Sequence, residues 1–205
     1  MKNSSRLALA LAASLLALAA PAQAQFSPGY KFLEAVKKKD GTVVDEILAD
    51  PGTTIVNTRD VISGQSALHM VTLRRDLTWM TFLISKGANV NARDGQGVTP
   101  LVAASNIGFI EGIELLIEKG ARVDEGNSAG ETPLISAVHR RDIGLMRILL
   151  RAGADPDRAD NSGRSARDYA LLDGGRSSQL VQEIVTHAKP RGQQGQTARA
   201  YGPSM

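Results

Sequence analysis

The sequence predicts an all-α solenoid of stacked helix pairs, with a capping unit at each end. Three observations predict it. Gly64, Gly97, Gly130 and Gly163 stand 33 residues apart. Two residues after each comes a hydroxyl side chain: Ser66, Thr99, Thr132 and Ser165. A Gly-Ala pair recurs at the same interval, as Gly87-Ala88, Gly120-Ala121 and Gly153-Ala154. A fixed period of this length marks identical supersecondary units that bury a shared strip of core. Such arrays present a long surface for recognition.

Residues 1–24 are set apart from the fold. Lys2 and Arg6 make a positive start, and Leu7 to Ala20 is a Leu/Ala run broken only by Ser14. Ala22-Gln23-Ala24 is a small-x-small cleavage pattern. Together these predict a Sec-type signal peptide cut after Ala24. The run has 14 residues, whereas a spanning helix needs roughly 20. No membrane insertion is expected after cleavage. The mature chain is then periplasmic or secreted, and a chain with 0 Cys builds its stability from packing without disulfides.

Gln25 to Lys31 contains Pro28-Gly29 and is expected as a short leader. Phe32, Leu33, Ala35 and Val36 begin an apolar helix face, and Val43, Val44, Ile47 and Leu48 fit a second one by spacing. This pair, about residues 30–60, is the expected N-terminal cap. Repeats follow at about 61–93, 94–126, 127–159 and 160–187, so that the repeat domain covers 25–187. The second is the clearest. Thr99 suits an N-cap, where its hydroxyl accepts from a free first-turn amide. Pro100 suits the first helical position, where its missing N–H costs nothing. Thr132-Pro133 repeats the device, and Ser66-Ala67 and Ser165-Ala166 keep the cap without the proline. The first helix runs to about Asn106, Gly108 turns the chain, and a second helix carries Ile110, Ile113, Leu115, Leu116 and Ile117. Gly120 then supplies a left-handed C′ residue. Asp94-Gly95-Gln96-Gly97, Asn127-Ser128-Ala129-Gly130 and Asp160-Asn161-Ser162-Gly163 fit type I turns at the tips of projecting hairpin fingers. Residues 188–205, with Gly192-Gln193-Gln194-Gly195-Gln196, read as a polar flexible tail.

A finger, a Thr-Pro-Leu helix, a second helix ending in Leu-Leu and then Gly-Ala: this pattern resembles the ankyrin repeat. Gly64-Gln65-Ser66-Ala67-Leu68-His69 matches the start of the unit, including its His. Gly130-Glu131-Thr132-Pro133-Leu134 and Leu149-Leu150-Arg151-Ala152-Gly153-Ala154-Asp155 match both ends of another. The His is kept only at His69; Val102, Ile135 and Asp168 replace it. The last unit has Arg167 for a core Leu and lacks the Gly-Ala ending, as expected of a terminal cap.

The composition argues against several function classes. Between Gln25 and His187 there are 19 Lys+Arg and 21 Asp+Glu, a net of −2. Aromatic residues are 4% of the chain, so the basic, aromatic face of a nucleic-acid binder is missing. The three His residues, His69, His139 and His187, are not spaced as metal ligands. No catalytic constellation, metal site or cofactor loop is expected. Trp79, in register with Gly112 and Leu145, reads as packing, and Met80, Ile113 and Met146 read as a core column.

The resemblance implies a monomeric protein-binding module whose finger tips and first helices line a concave groove. The finger positions are Ser63 and Gln65, Gln96 and Val98, Ala129 and Glu131, Ser162 and Arg164. The helix positions are Leu73 and Arg74, Asn106 and Ile107, His139 and Arg140, Leu172 and Asp173. Arg74-Arg75-Asp76 returns as Arg140-Arg141-Asp142. Two readings stand for it: Arg74 and Arg140 grip carboxylates of a partner, or Arg replaces the turn glycine seen at Gly108. The expected function is binding, and thereby stabilising, inhibiting or scaffolding, an envelope protein. The alternative is a secreted effector acting on a host or competitor protein.

Overall fold

The computed structural model describes residues 27–50, 52–174 and 179–188. The expected signal segment, and all of the expected tail except its first residue, lie outside them. Among the described residues ten α-helices follow one another in antiparallel pairs. They are α1 (Pro28–Lys38), α2 (Gly41–Leu48), α3 (Ala67–Leu73), α4 (Leu77–Ser85), α5 (Pro100–Asn106), α6 (Ile110–Glu118), α7 (Pro133–His139), α8 (Ile143–Arg151), α9 (Ala166–Gly174) and α10 (Gln179–His187). First helices stack on first helices, from α3 through α5 and α7 to α9. Second helices form a parallel row beside them. None of these helices is long and apolar enough to cross a membrane.

The N-terminal cap starts earlier than expected. Pro28-Gly29 is the first turn of α1, because Ser27 caps it: the Tyr30 amide donates to Ser27 Oγ at 3.2 Å. Pro28 then occupies the position where proline costs no hydrogen bond. A 3₁₀ turn at Ile55–Asn57 links α2 to the first finger.

The core is one strip running the length of the stack. In α5 every residue from Pro100 to Ser105 is buried, and in α7 every residue from Pro133 to Val138. The Met80, Ile113 and Met146 column is fully buried, as its spacing predicted. Trp79 packs against this core and meets Phe82 edge-to-face at 5.4 Å. Phe109 stands where α4 and α8 have a capping Asp, and its ring fills the space over Gly112.

The helix starts use two chemistries. Thr99 and Thr132 cap directly, accepting from the amides of Val102 and Ile135, a device contributing about 1 kcal/mol each. Ser66 instead works with His69, whose Nδ1 lies 3.2 Å from the Ser66 amide and 2.8 Å from its hydroxyl. Nε2 of the same ring reaches the Val98 carbonyl in the next finger at 2.9 Å. Burial holds the imidazole below its ordinary pKa, although the Val98 bond opposes this. At the last unit Asp168 replaces the His: it accepts from the Ser165 amide at 2.9 Å and from its hydroxyl at 2.7 Å. Those bonds to Ser165 hold the Asp168 carboxyl below its usual range. Arg167, in place of the core Leu, pairs with Asp157 at 2.7 Å. The terminal helix is clamped by Glu183, which is buried and accepts from Arg147 Nε at 2.8 Å. That bond keeps Glu183 ionised below its usual range.

Two ladders join successive units through polar groups. At the finger tips, the Gly95, Ser128 and Asn161 amides donate to the Ser63, Gln96 and Ala129 carbonyls at 2.9, 2.9 and 3.0 Å. Behind the fingers, Asn57 Oδ1 accepts from the Asn89 amide while its Nδ2 donates to Gly87 O. Asn91 does the same to the Arg122 amide and Gly120 O. Asp124 takes the third place and accepts from the Asp155 amide at 2.8 Å. An ionised carboxylate has no proton to donate there. Burial raises the Asp124 pKa above its usual value.

A raised pKa means that the folded state holds this proton more tightly than the unfolded state does. Ionisation therefore costs stability as the pH rises through the raised value. Asp124→Asn restores the donor and removes the charge. It is expected to add about 1 kcal/mol at neutral pH. The gain shrinks as the pH falls and is least well below about 4, where the wild-type carboxyl is protonated in both states. Urea melts of both chains at the two pH values measure this. A gain independent of pH contradicts it.

Candidate protein-binding face

The finger tips and the C-terminal ends of the first helices carry the exposed side chains of the face expected to be concave, because the bodies of those helices are buried. The fingers are built alike. In the second, the Gly97 amide donates to the Asp94 carbonyl at 3.1 Å, and Gly97 then takes φ +73°. In the third and fourth, Asn127–Gly130 and Asp160–Gly163 close in the same way. The first finger differs. Its Gly64 amide donates to Asp60, four residues back, not three. The finger is one residue longer, and Asp60 Oδ1 caps the wider loop by accepting from Ile62 N, Ser63 N and Ser63 Oγ.

The extra length pushes two aliphatic side chains outward. Val61 is 100% exposed and Ile62 is 97% exposed. Both are β-branched and apolar, with no core to fill. Beside them lies a groove of about 430 Å³, lined by Lys37, Asp60, Ser63, Gln65, Met70, Leu73 and Arg74. The structure thus brings four of the sequence-predicted residues, Ser63, Gln65, Leu73 and Arg74, into one groove. Leu73 is 44% exposed. Val61 and Ile62 escaped the reading of the sequence, because the glycines keep their 33-residue spacing whatever the loop before Gly64 does.

Several of the predicted residues, Arg74 among them, also hold the stack together. Arg74 Nη1 donates to the carbonyls of Val36 and Lys37 at 2.9 and 3.1 Å, closing the end of α1. Its Nη2 also lies 3.8 Å from Asp76. The Arg74 guanidinium thus holds the cap to the first repeat, a duty beyond the expected grip on a partner's carboxylate. Asn106 Oδ1 accepts from Ser136 Oγ at 2.8 Å. Glu131 accepts from Asn127 Nδ2 and stands 3.4 Å from His139 Nδ1. His139 rests edge-on against Tyr169 with ring centres 4.4 Å apart. Tyr169 in turn donates to Asp160, and Ser162 and Tyr169 together hold that carboxyl well below its usual range. Asp173 pairs with Arg141, and Arg140 Nη1 donates to Asn106 O.

Gln96 and Arg164 project from their finger tips, Leu172 is 71% exposed, and Val98 and Ile107 are half-buried. Ala129 and Ser162 are exposed at the tips as well. Leu73, Asn106, His139 and Leu172 form one column. Arg74, Ile107, Arg140 and Asp173 form the next. The polar members of both columns are engaged between units.

The second reading of the Arg-Arg pairs holds for their second members. Arg75 and Arg141 have φ +56° and +53°, like Gly108 at +60°. Each occupies the turn position where a side chain is uncommon. Among the described residues no group of three or more His, Asp or Glu side chains is arranged to hold a metal ion.

A family model described as ankyrin repeats, in three copies, matches the chain over residues 32–127 and again over 102–194. The two matches overlap and together take in every repeat from α1 to α10. Stacked helix pairs, hairpin fingers and Thr-Pro helix starts agree with that match element by element, and the chain belongs to the ankyrin-repeat family.

Proposed function

We propose that this chain is an exported, non-catalytic adaptor that grips an envelope protein with the N-terminal half of its concave face. Ankyrin repeats are protein–protein interaction modules. One observation carries the choice of surface. Val61 and Ile62 stand almost wholly in solvent at the tip of a lengthened finger, next to an open groove. Hydrophobic side chains scattered singly on a surface need no explanation, but an adjacent pair on a rigid arm forms an anchor for a partner's apolar pocket. Asp60 holds that arm through three hydrogen bonds. Lys2, Arg6, the Leu7–Ala20 run and Ala22-Gln23-Ala24 support export. The anchor then meets proteins of the envelope.

The test begins with the full chain carrying a C-terminal tag. The tagged protein released by osmotic shock is expected to start at Gln25 on N-terminal sequencing. Recovery with Met1 intact from the cytoplasm contradicts export. Chemical crosslinking in the intact envelope is expected to yield a discrete adduct larger than the chain itself.

A further inference from the structure

We propose that Arg75 and Arg140 form a carboxylate-binding clamp for an acidic segment of the partner. The proposal rests on the concave-face reading above and adds the chemistry of what is bound there. Arg75 comes from the first repeat and Arg140 from the third. Both guanidinium groups close on one turn of the repeat between them. Arg75 Nη2 donates to the Ile107 carbonyl, and Arg140 Nη1 donates to the adjacent Asn106 carbonyl. The Arg140 group lies over the turn closely enough that a Cβ on Gly108 would stand 3.0 Å from Nη2. Two cations from alternate repeats are thereby held side by side at the end of α5.

Their neighbours show why these two matter. Arg74, Arg93, Arg122, Arg141, Arg147 and Arg167 each have a carboxylate partner within the chain. Among the described residues Arg75 and Arg140 have none, as is also true of Arg59, Arg151, Arg158 and Arg164; what sets the two apart is that each donates a single hydrogen bond to the same turn. A guanidinium has five N–H donors in a planar fork. Most of those donors therefore remain for an incoming group. The half-buried neighbour Asp76 is already taken by Lys39 at 2.7 Å. Beneath the pair lies the C-terminal end of α5, the negative end of its dipole. It positions both cations and tempers their field, which suits a singly charged carboxylate over a phosphate dianion. Ile107 and Leu73 place aliphatic surface nearby, so a protein segment with Glu or Asp among apolar residues fits the site.

The test uses a short fluorescein-labelled peptide of alternating Glu and Ala, read by anisotropy at low salt against the purified chain. Arg75→Gly suits the backbone, since φ there is +56°, and Arg140→Gln keeps length and polarity. The double variant is expected to bind the peptide about tenfold more weakly, the loss that a charge-assisted hydrogen bond represents. A control variant, Lys119→Gln with Arg151→Gln, removes equal charge elsewhere and is expected to bind like wild type. The matched Gln-Ala peptide is expected not to bind. Equal losses in the double variant and the control overturn the clamp, as does wild-type binding by the double variant. Tighter binding of inorganic phosphate than of the peptide overturns it too. None of these outcomes touches the apolar anchor, which is read separately by substitutions at Val61 and Ile62. If the clamp fails and the anchor variants still lose the envelope adduct, the concave-face reading stands alone.

Discussion

Gly112→Leu, which installs the residue that the third repeat carries at the same place, is expected to destabilise the chain by about 3 kcal/mol. The reason is a ring. A Cβ on Gly112 would stand 2.4 Å from Phe109 Cδ1 and 2.6 Å from Cε1. Phe109 is 5% exposed and has no room to swing aside. It sits where the neighbouring repeats cap their second helices with Asp76 and Asp142, which accept from the Trp79 and Leu145 amides at 3.2 and 3.0 Å. The second repeat has thus exchanged a cap and a helix side chain for one aromatic ring and a glycine. Phe109→Asp alone opens a cavity and is expected to cost about 3 kcal/mol or more. The double change, Phe109→Asp with Gly112→Leu, reinstates the arrangement of the third repeat. It is expected to be more stable than either single variant. Denaturant melts of the four chains close the cycle. Strict additivity of the two losses contradicts the exchange.

Val61→Asp with Ile62→Asp is expected to weaken partner binding by at least about 2 kcal/mol, or roughly 30-fold, as loss of an apolar hot spot does. Folding is expected to change by no more than about 0.5 kcal/mol, since both side chains stand in solvent. This asymmetry separates a binding anchor from a structural residue. A core substitution would move both quantities together. Should the variant unfold, Ile62→Ser offers a milder probe, and the same ranking of binding loss over stability loss is expected.

The repeat was legible because its chemistry is local. Thr99-Pro100 caps a helix through its own first turn, and Gly120 bends the chain through its own φ. Both signals lie within a few residues, and the structure shows them where spacing put them. The start of the cap was missed for a local reason as well: Pro28-Gly29 resembles a break, and Ser27 turns it into a helix start. The duties of the helix-end side chains were not legible in the same way. Arg74 reaches across to α1, Asn106 to Ser136, and Arg141 to Asp173, each one unit away along the stack. A period records which residues share a column. It does not record whether a long side chain turns sideways to its neighbour or outward to a partner. The lengthened finger was countable from Asp60 to Gly64, but a register drawn on the glycines alone hides it. Arg75 is the instructive case. Its φ identifies it as a turn residue, and the same geometry leaves its fork of donors beside that of Arg140.

The most direct test of the central claim is crosslinking in the intact envelope with three chains side by side. One is wild type. The second carries Val61→Asp and Ile62→Asp at the first finger. The third carries Thr78→Asp and Thr81→Asp, exposed positions on the second-helix side. The account predicts one adduct that wild type and the Thr78/Thr81 variant share and that the finger variant loses. An adduct that survives the finger substitutions and disappears with Thr78→Asp and Thr81→Asp would place the interface on the opposite face and contradict it.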